Sequence, residues 1–477
     1  MNWNQTIKLI PEGVQTLSKR PCVHVEGVYP YWIVKGKGAH VWDEAGKSYI
    51  DYPCSLGTNI LGHAFEPVVK AVKDQLDEGT LFSLPHPKET DLAELLKDTI
   101  PSLEMMRFLK TGTESCMAAV RIARAYTGRT PILCCGYHGW ADWYNATTPK
   151  NAGSIAQDVT SFKWGDTKKL EELLIEKKPS GVIIEPYVYE TEKEVETFLK
   201  EVRRLTDIHK VILIFDENVT GFRTKKLSAQ AYWKVTPDLT CLGKAMGNGV
   251  PIACVGGKRD IMDVLTKDCF VSSTFGGDLL GISAAIATIS YLRDHPVAEH
   301  IWTVGSQIKS AFNQAAQSIM QQDVVKCIGL PPRTHFIFPS AAHKGLFWQE
   351  CLKLGVFFGH AQFVSYAHKQ TELDTTTMAI RQALKIANKH WENPMEALQG
   401  KPAIETLRLI TVPAPKVESQ TIGTVISDSL KQVDDIAKEK SVAFVGSDAG
   451  KAVTECSEPV PSDPVKRGPG RPRKLTE

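Results

Sequence analysis

The sequence is short of the features that would fix its class at a glance. No apolar run reaches the roughly 18 residues that a membrane-spanning helix needs. The opening residues, MNWNQTIKLIPEGVQ, lack the apolar core of a secretory signal, so a cytoplasmic protein without membrane attachment is expected. Net charge is only +2, which leaves no overall field to draw the chain to nucleic acid or lipid. The eleven cysteines form no C-x-x-C pair, and adjacent Cys134 and Cys135 lie in an apolar run, which points to buried thiols rather than a disulfide. The thirteen histidines show neither H-x-x-x-H nor H-E-x-x-H spacing, so no metal is expected.

What is present suits an ordinary soluble globular protein. With 477 residues, 43% of them hydrophobic and 23% charged, the chain can fill two or three domains. Residues 1–60 read as an N-terminal segment in which AHVWDEAGKSYIDY alternates around a turn at Glu44–Lys47, a hairpin pattern. Residues 61–320 read as a large domain. There MRFLKTGTES, PILCCGYHGW, SGVIIEP and KVILIFDEN are compact apolar runs that stop at polar residues. Helical stretches at Glu114–Tyr126, Thr167–Lys177 and Thr191–His209 separate them. Strand, polar loop and helix in repetition make an α/β domain with a mainly parallel sheet, and such sheets bind ligands beyond the carboxyl ends of their strands. Residues 321–440, with THFIFP, TLRLITV and the helical TTTMAIRQALKIANKHWE, read as a smaller α+β domain. Residues 441–477 are rich in Pro, Gly, Ser and charge and read as a disordered tail.

Four positions after successive strands carry chemistry. Lys244 lies in CLGKAMGNGVPIA among small residues, a setting in which a ring can approach an amine kept nucleophilic by desolvation; read alone, it could be a surface lysine. Asp216 ends an apolar strand, where a carboxylate needs a partner. That partner is either a protonated ring nitrogen or a structural cation. TGTES opens a helix, so Gly112 and Thr113 form either an anion cup or a simple capping turn with Thr113 as N-cap. Tyr137, in YHGW, either stacks on a planar ligand or packs in the core. A phosphate cup, a stacking ring, an acid for a ring nitrogen and an imine-forming lysine are together what a pyridoxal phosphate site requires.

With these residues on the page, the sequence resembles the class III aminotransferases among the fold-type I pyridoxal phosphate enzymes, and within them the glutamate-1-semialdehyde aminomutases. The carrying stretches are GKSYIDY, ILGHAFEPVVKAV, MRFLKTGTESCMAAVRIARAYTGR, YHGW, VIIEP, LIFDENVTGFR, PDLTCLGKAMGNGVPIACVGG and STFGGDLLGISAA. The resemblance implies that Lys244 holds pyridoxal 5'-phosphate as an imine and that Asp216 pairs with the ring nitrogen. It also implies that Tyr137 stacks on the ring, that Gly112 and Thr113 bind the phosphate, and that Glu185 lies near the site. Thr274 would reach the cofactor of a neighbouring subunit in a homodimer. The implied reaction moves an amino group between an amine or amino acid and a carbonyl. Departures from the family pattern fall at Lys110-Thr111, Tyr187, Tyr189, Asn218 and STFGGD, on the substrate side more than the cofactor side. Tyr187, Tyr189 and Asn218 are the substrate-side candidates, with Tyr187 and Tyr189 either lining the pocket or packing in the core.

The end of the chain adds a separate feature. KRGPGRPRK, residues 466–474, resembles an AT-hook, in which Arg467, Arg471 and Arg473 would lie in the minor groove of A·T-rich DNA; a solvated basic tail has the same composition. Two alternatives to amino transfer follow. One is decarboxylation or a related reaction on an amino acid group borne by a nucleotide or DNA base, as in virus-encoded base hypermodification. The other is a DNA-binding scaffold that keeps the fold without catalysis.

Overall fold

The computed structural model describes residues 2–155 and 158–404. The expected strand TLRLITV, and the tail with Arg467, Arg471 and Arg473, lie outside them. β1 (Ile33–Lys37), β2 (His40–Asp43) and β3 (Ser48–Asp51) form an antiparallel meander. Its second turn is the expected hairpin, closed by Asp43 Oδ1, which accepts from the N–H groups of Ala45 and Lys47 at 3.0 and 2.8 Å.

The large sheet contains β4 (Met105–Leu109), β5 (Ile132–Cys135), β6 (Val159–Ser161), β7 (Gly181–Ile184), β8 (Ile212–Asp216), β9 (Leu239–Leu242) and β10 (Ala253–Gly257), in the order β4-β10-β9-β8-β7-β5-β6. Neighbours pair in parallel from β9 through to β6. β10 runs antiparallel to both β4 and β9. β5, β7 and β8 are buried at every residue, which is why they read as unbroken apolar runs: helices cover both faces of the sheet and no residue faces water. Cys134 and Cys135 are buried free thiols, as their apolar run implied.

The crossover helices have the expected positions, at Gly112–Thr127, Thr167–Lys177 and Glu192–Ile208. The first starts two residues earlier than its periodicity suggested. Its N-cap is Thr111, not Thr113: Thr111 Oγ1 accepts from the Glu114 N–H at 3.2 Å, and Glu114 Oε2 accepts from the Thr111 N–H at 2.8 Å. A carboxylate three residues past the cap decides the start through this reciprocal pair.

The later part of the chain adds β11 (Lys326–Leu330), β12 (Arg333–Ile337), β13 (Val356–Phe357) and β14 (Gln362–Phe363). β11, β12 and β14 form a three-stranded sheet, whereas β13 joins the meander by pairing in parallel with β3. Segments from the 1–60 and 321–440 regions therefore share one sheet. The carboxyl ends of β5, β8 and β9 lead directly into Tyr137, Asp216 and Lys244, so the sheet collects these side chains at one edge.

Candidate active site

The anion cup follows from the capping geometry. Thr111 takes the N–H of Glu114, and the N–H of Ser115 bonds to Thr111 O at 3.1 Å. The N–H groups of Gly112 and Thr113 are the first-turn donors left outside the helical ladder, and they sit at the positive end of the helix. Thr113 contributes a hydroxyl as well. That hydroxyl lies directly against Gly139, where a Cβ would collide with it. Gly139 has φ 99°, so the absence of a side chain both permits the backbone and lets the YHGW loop close onto the cup.

Glu185 supports the same loop from below. It is 2% exposed, accepts from the Tyr137 N–H through Oε2 at 2.9 Å, and lies 3.8 Å from the buried Arg333 guanidinium. The loop is fixed further by Tyr144, whose hydroxyl donates to Gly136 O at 2.9 Å. Tyr137 itself is half-buried, edge-on to Tyr144 at 5.8 Å between ring centres.

Asp216, at the end of β8, is 3% exposed. Its Oδ2 lies 2.8 Å from His138 Nδ1 and accepts from Cys116 Sγ at 3.3 Å. Its Oδ1 accepts from the backbone N–H and side-chain Nδ2 of Asn218 at 3.1 and 2.7 Å. Burial alone would raise the pKa of Asp216. The hydrogen bond and charge of His138, the charge of Lys244 and the Asn218 N–H reverse that and hold the carboxyl below its ordinary value. Burial likewise pulls His138 down, but hydrogen bonds and charge from Asp216 and Cys116 carry it up to about 10. The pair is therefore an imidazolium facing a carboxylate.

His138 was absent from the sequence-based site, although it follows Tyr137 directly. Cys116, His138 and Asp216 are metal-ligand types whose atoms lie within 4.8 Å of one another. Burial pushes the Cys116 thiol well up, which keeps it a protonated donor to Asp216 rather than a thiolate ligand.

Lys244 follows β9 and has φ 41°, a left-handed conformation uncommon for a side-chain-bearing residue. Gly243 before it packs on Asn218: a Cβ there would come within 2.5 Å of Asn218 Oδ1, and a Cβ on Gly112 within 2.8 Å of Asn218 Cγ. The cup, the Asp216 loop and the Lys244 loop thus meet around one amide.

Other expected positions lie apart from this meeting point in their contacts. Thr274 is exposed and lines a cleft of about 210 Å³ with Leu81, Phe82 and Leu84. Tyr187 is fully buried against Trp233, its ring centre 5.6 Å away, with its backbone oxygen accepting from Arg333 at 3.1 Å. Tyr189 is 6% exposed and packs edge-on against His335 at 4.5 Å.

The donor set suits pyridoxal phosphate. The cup offers two N–H groups and a hydroxyl to a phosphate. Asp216, with its carboxyl held below its ordinary value, is an acceptor of the kind a protonated ring nitrogen requires, and a thiol is the weakest of its donors.

Residues 23–384 match the family model described as Aminotransferase class-III. The chain is 32% identical over 432 residues to a glutamate-1-semialdehyde 2,1-aminomutase of Desulforamulus reducens, an alignment that covers 81% of this chain and 97% of that one. It is 33% identical over 399 residues to a 3-aminobutyryl-CoA aminotransferase of Cloacimonas acidaminovorans, covering 80% and 95%. Among solved structures, the PLP internal aldimine form of a Sphingopyxis sp. MTA144 FumI protein superposes with a TM-score of 0.76 at 25% identity, covering 84% of this chain and 97% of that one. An omega-transaminase of Sphaerobacter thermophilus gives 0.72 at 25% identity, covering 81% and 96%.

Proposed function

The chain belongs to the class III aminotransferases, enzymes that move amino groups with pyridoxal 5'-phosphate, and on that premise we propose that it transfers an amino group between an amine or amino acid and a carbonyl, with Lys244 as the catalytic amine. The observation that carries this reading is the convergence of Gly112, Asn218 and Gly243, which brings the cup, the acid and the lysine loop to one place.

Bound pyridoxal phosphate supplies an electrophilic carbonyl carbon and a ring that accepts electrons. In this reading the chain's residues do the rest. The N–H groups of Gly112 and Thr113 and the Thr113 hydroxyl hold the phosphate. Tyr137 orients the ring, on a loop that Glu185 supports. Asp216 keeps a proton on the ring nitrogen. Lys244 Nζ would hold the carbonyl carbon and, as a free amine, would carry a proton from the substrate carbon. Tyr187 and Tyr189 shape the substrate side through the packing they support. Whether the amino group leaves on a second molecule or returns to another carbon of the first separates transamination from aminomutation. Incubating the loaded chain with single amino acids and assaying keto products against rearranged isomers tests this; neither product from any amine that perturbs the cofactor spectrum would remove the reading.

The reading includes a homodimer. Thr274 lies in a surface cleft beside exposed Phe82, Leu84 and Phe275, an apolar patch suited to a second copy. Sedimentation of the chain as a monomer at micromolar concentration would contradict it. The basic run at Lys466–Lys474 extends the reading to a DNA tether through Arg467, Arg471 and Arg473. Deleting residues 441–477 is then expected to abolish salt-sensitive DNA binding and leave the cofactor spectrum intact; DNA binding that survives the deletion would refute the tether.

A further inference from the structure

Asn218 is 5% exposed, and a buried amide costs free energy unless its groups are used. It has no room to move. Gly112 and Gly243 press on it with no space for a Cβ on either. Its Nδ2 lies 2.7 Å from Asp216 Oδ1, 3.3 Å from Ser115 Oγ and 3.5 Å from Cys116 Sγ. The orientation of the amide is fixed chemically, because an ionised carboxylate only accepts: the group against it must be the NH₂. The carbonyl oxygen Oδ1 is left buried without a hydrogen-bond partner, packed on the Gly243 backbone. An apolar side chain would fill the same space without that penalty. Of the three contacts of the NH₂ group, the shortest, and the one to a charged group, is the contact with the Asp216 carboxylate.

His138 mirrors it on the other oxygen. It is 1% exposed, and its Nε2 has no polar partner. Its ring lies 6.1 Å from Trp143, nearly parallel, and 5.4 Å from Tyr144, edge-on. The near-parallel Trp143 ring and the Asp216 carboxylate thus bear on His138 together. The charged groups that bear on Asp216 are His138 and Lys244, with the Cys116 thiol beside them.

We propose that Asn218 is a positioning residue: with His138 it grips the two oxygens of Asp216 from separate sides and holds that carboxylate ionised and aimed at the ring nitrogen of bound pyridoxal phosphate. The inference rests on the reading above and deepens it. Asn218 thereby acts on the cofactor ring through Asp216 rather than on the substrate.

The test is ¹⁵N NMR of the full chain loaded with pyridoxal phosphate labelled at the ring nitrogen, with Asn218→Val and Asn218→Ala compared with wild type. The wild-type resonance is expected at the protonated-ring position. Both variants are expected to move it toward the unprotonated value and to weaken cofactor binding by about tenfold. Valine and alanine differ in volume but both lack the donor, so a common shift assigns the effect to the lost hydrogen bond. An unchanged resonance in both variants, or a shift in only one that tracks its loss of thermal stability without cofactor, overturns the inference while the cofactor stays bound. A wild-type chain that takes up no cofactor overturns the inference and the functional reading together.

Discussion

Lys110 Nζ lies 2.7 Å from Asp278 Oδ2, so two positions that depart from the family pattern meet in one ion pair. Lys110 also donates to Pro251 O at 3.2 Å, and Asp278 Oδ2 caps the helix Leu279–Asp294 by accepting from the Gly281 N–H at 3.1 Å. The pair links the strand that leads into the cup, the loop after Lys244 and the loop that carries Thr274. The two side chains are only 17% and 20% exposed. A double-mutant cycle with Lys110→Met and Asp278→Asn is expected to show a coupling of about 1 kcal/mol in urea unfolding. Asparagine keeps the helix cap and removes only the charge. Fully additive effects would mean that the pair contributes nothing.

Gly139 and Gly128 both have positive φ, at 99° and 67°, but only Gly139 has a neighbour in the way. An added Cβ would strike the Thr113 hydroxyl at Gly139 and meet nothing within 4 Å at Gly128. Gly139→Ala is expected to weaken pyridoxal phosphate binding at least tenfold and to lower stability by roughly 1–3 kcal/mol. Gly128→Ala, at the helix C-cap, is expected to cost about 1 kcal/mol of stability with cofactor affinity unchanged. Titration of cofactor fluorescence alongside thermal melting separates the two. Equal affinity in both variants would break the link between Gly139 and the cup.

The features legible in the sequence were those set by local chemistry. The meander turn at Glu44–Lys47, the helix Thr167–Lys177 and the fully buried runs of β5, β7 and β8 follow from turn residues and apolar patterning alone. The reversed direction of β10 was not legible, because ACVGG is as apolar as a parallel strand and carries no mark of polarity along the sheet. Nor was the role of His138. Its partner Asp216 is 78 residues away, and only the shared sheet edge brings them together. Asn218 and Lys110 stood out as departures from a pattern, yet their partners depend on which loops touch. The helix start is read one way from Thr113 and another from Glu114, and the capping box centred on Thr111 decides it.

Burial holds His368 down, to about 4 from an ordinary 6.5. It is 0% exposed, stacks on Tyr52 at 4.5 Å and accepts the Ser365 N–H through Nδ1 at 2.9 Å. The unfolded chain takes up this proton near 6.5, whereas the folded chain does not until about 4. Between those values the unfolded state binds more protons, so stability falls as pH falls, by at most about 1.4 kcal/mol per unit for this group. Urea unfolding from pH 7 down to 4.5 is expected to show the decline. His368→Phe keeps a ring against Tyr52 and is expected to be less stable at pH 7 but shallower in its pH dependence. An unchanged slope would place the acid sensitivity elsewhere.

The central claim is tested most directly by loading the full chain with pyridoxal phosphate, reducing it with borohydride and mapping the product by peptide mass spectrometry. The account predicts a pyridoxyl adduct on Lys244, lost in Lys244→Ala. An adduct confined to another lysine, or none at all, would contradict it.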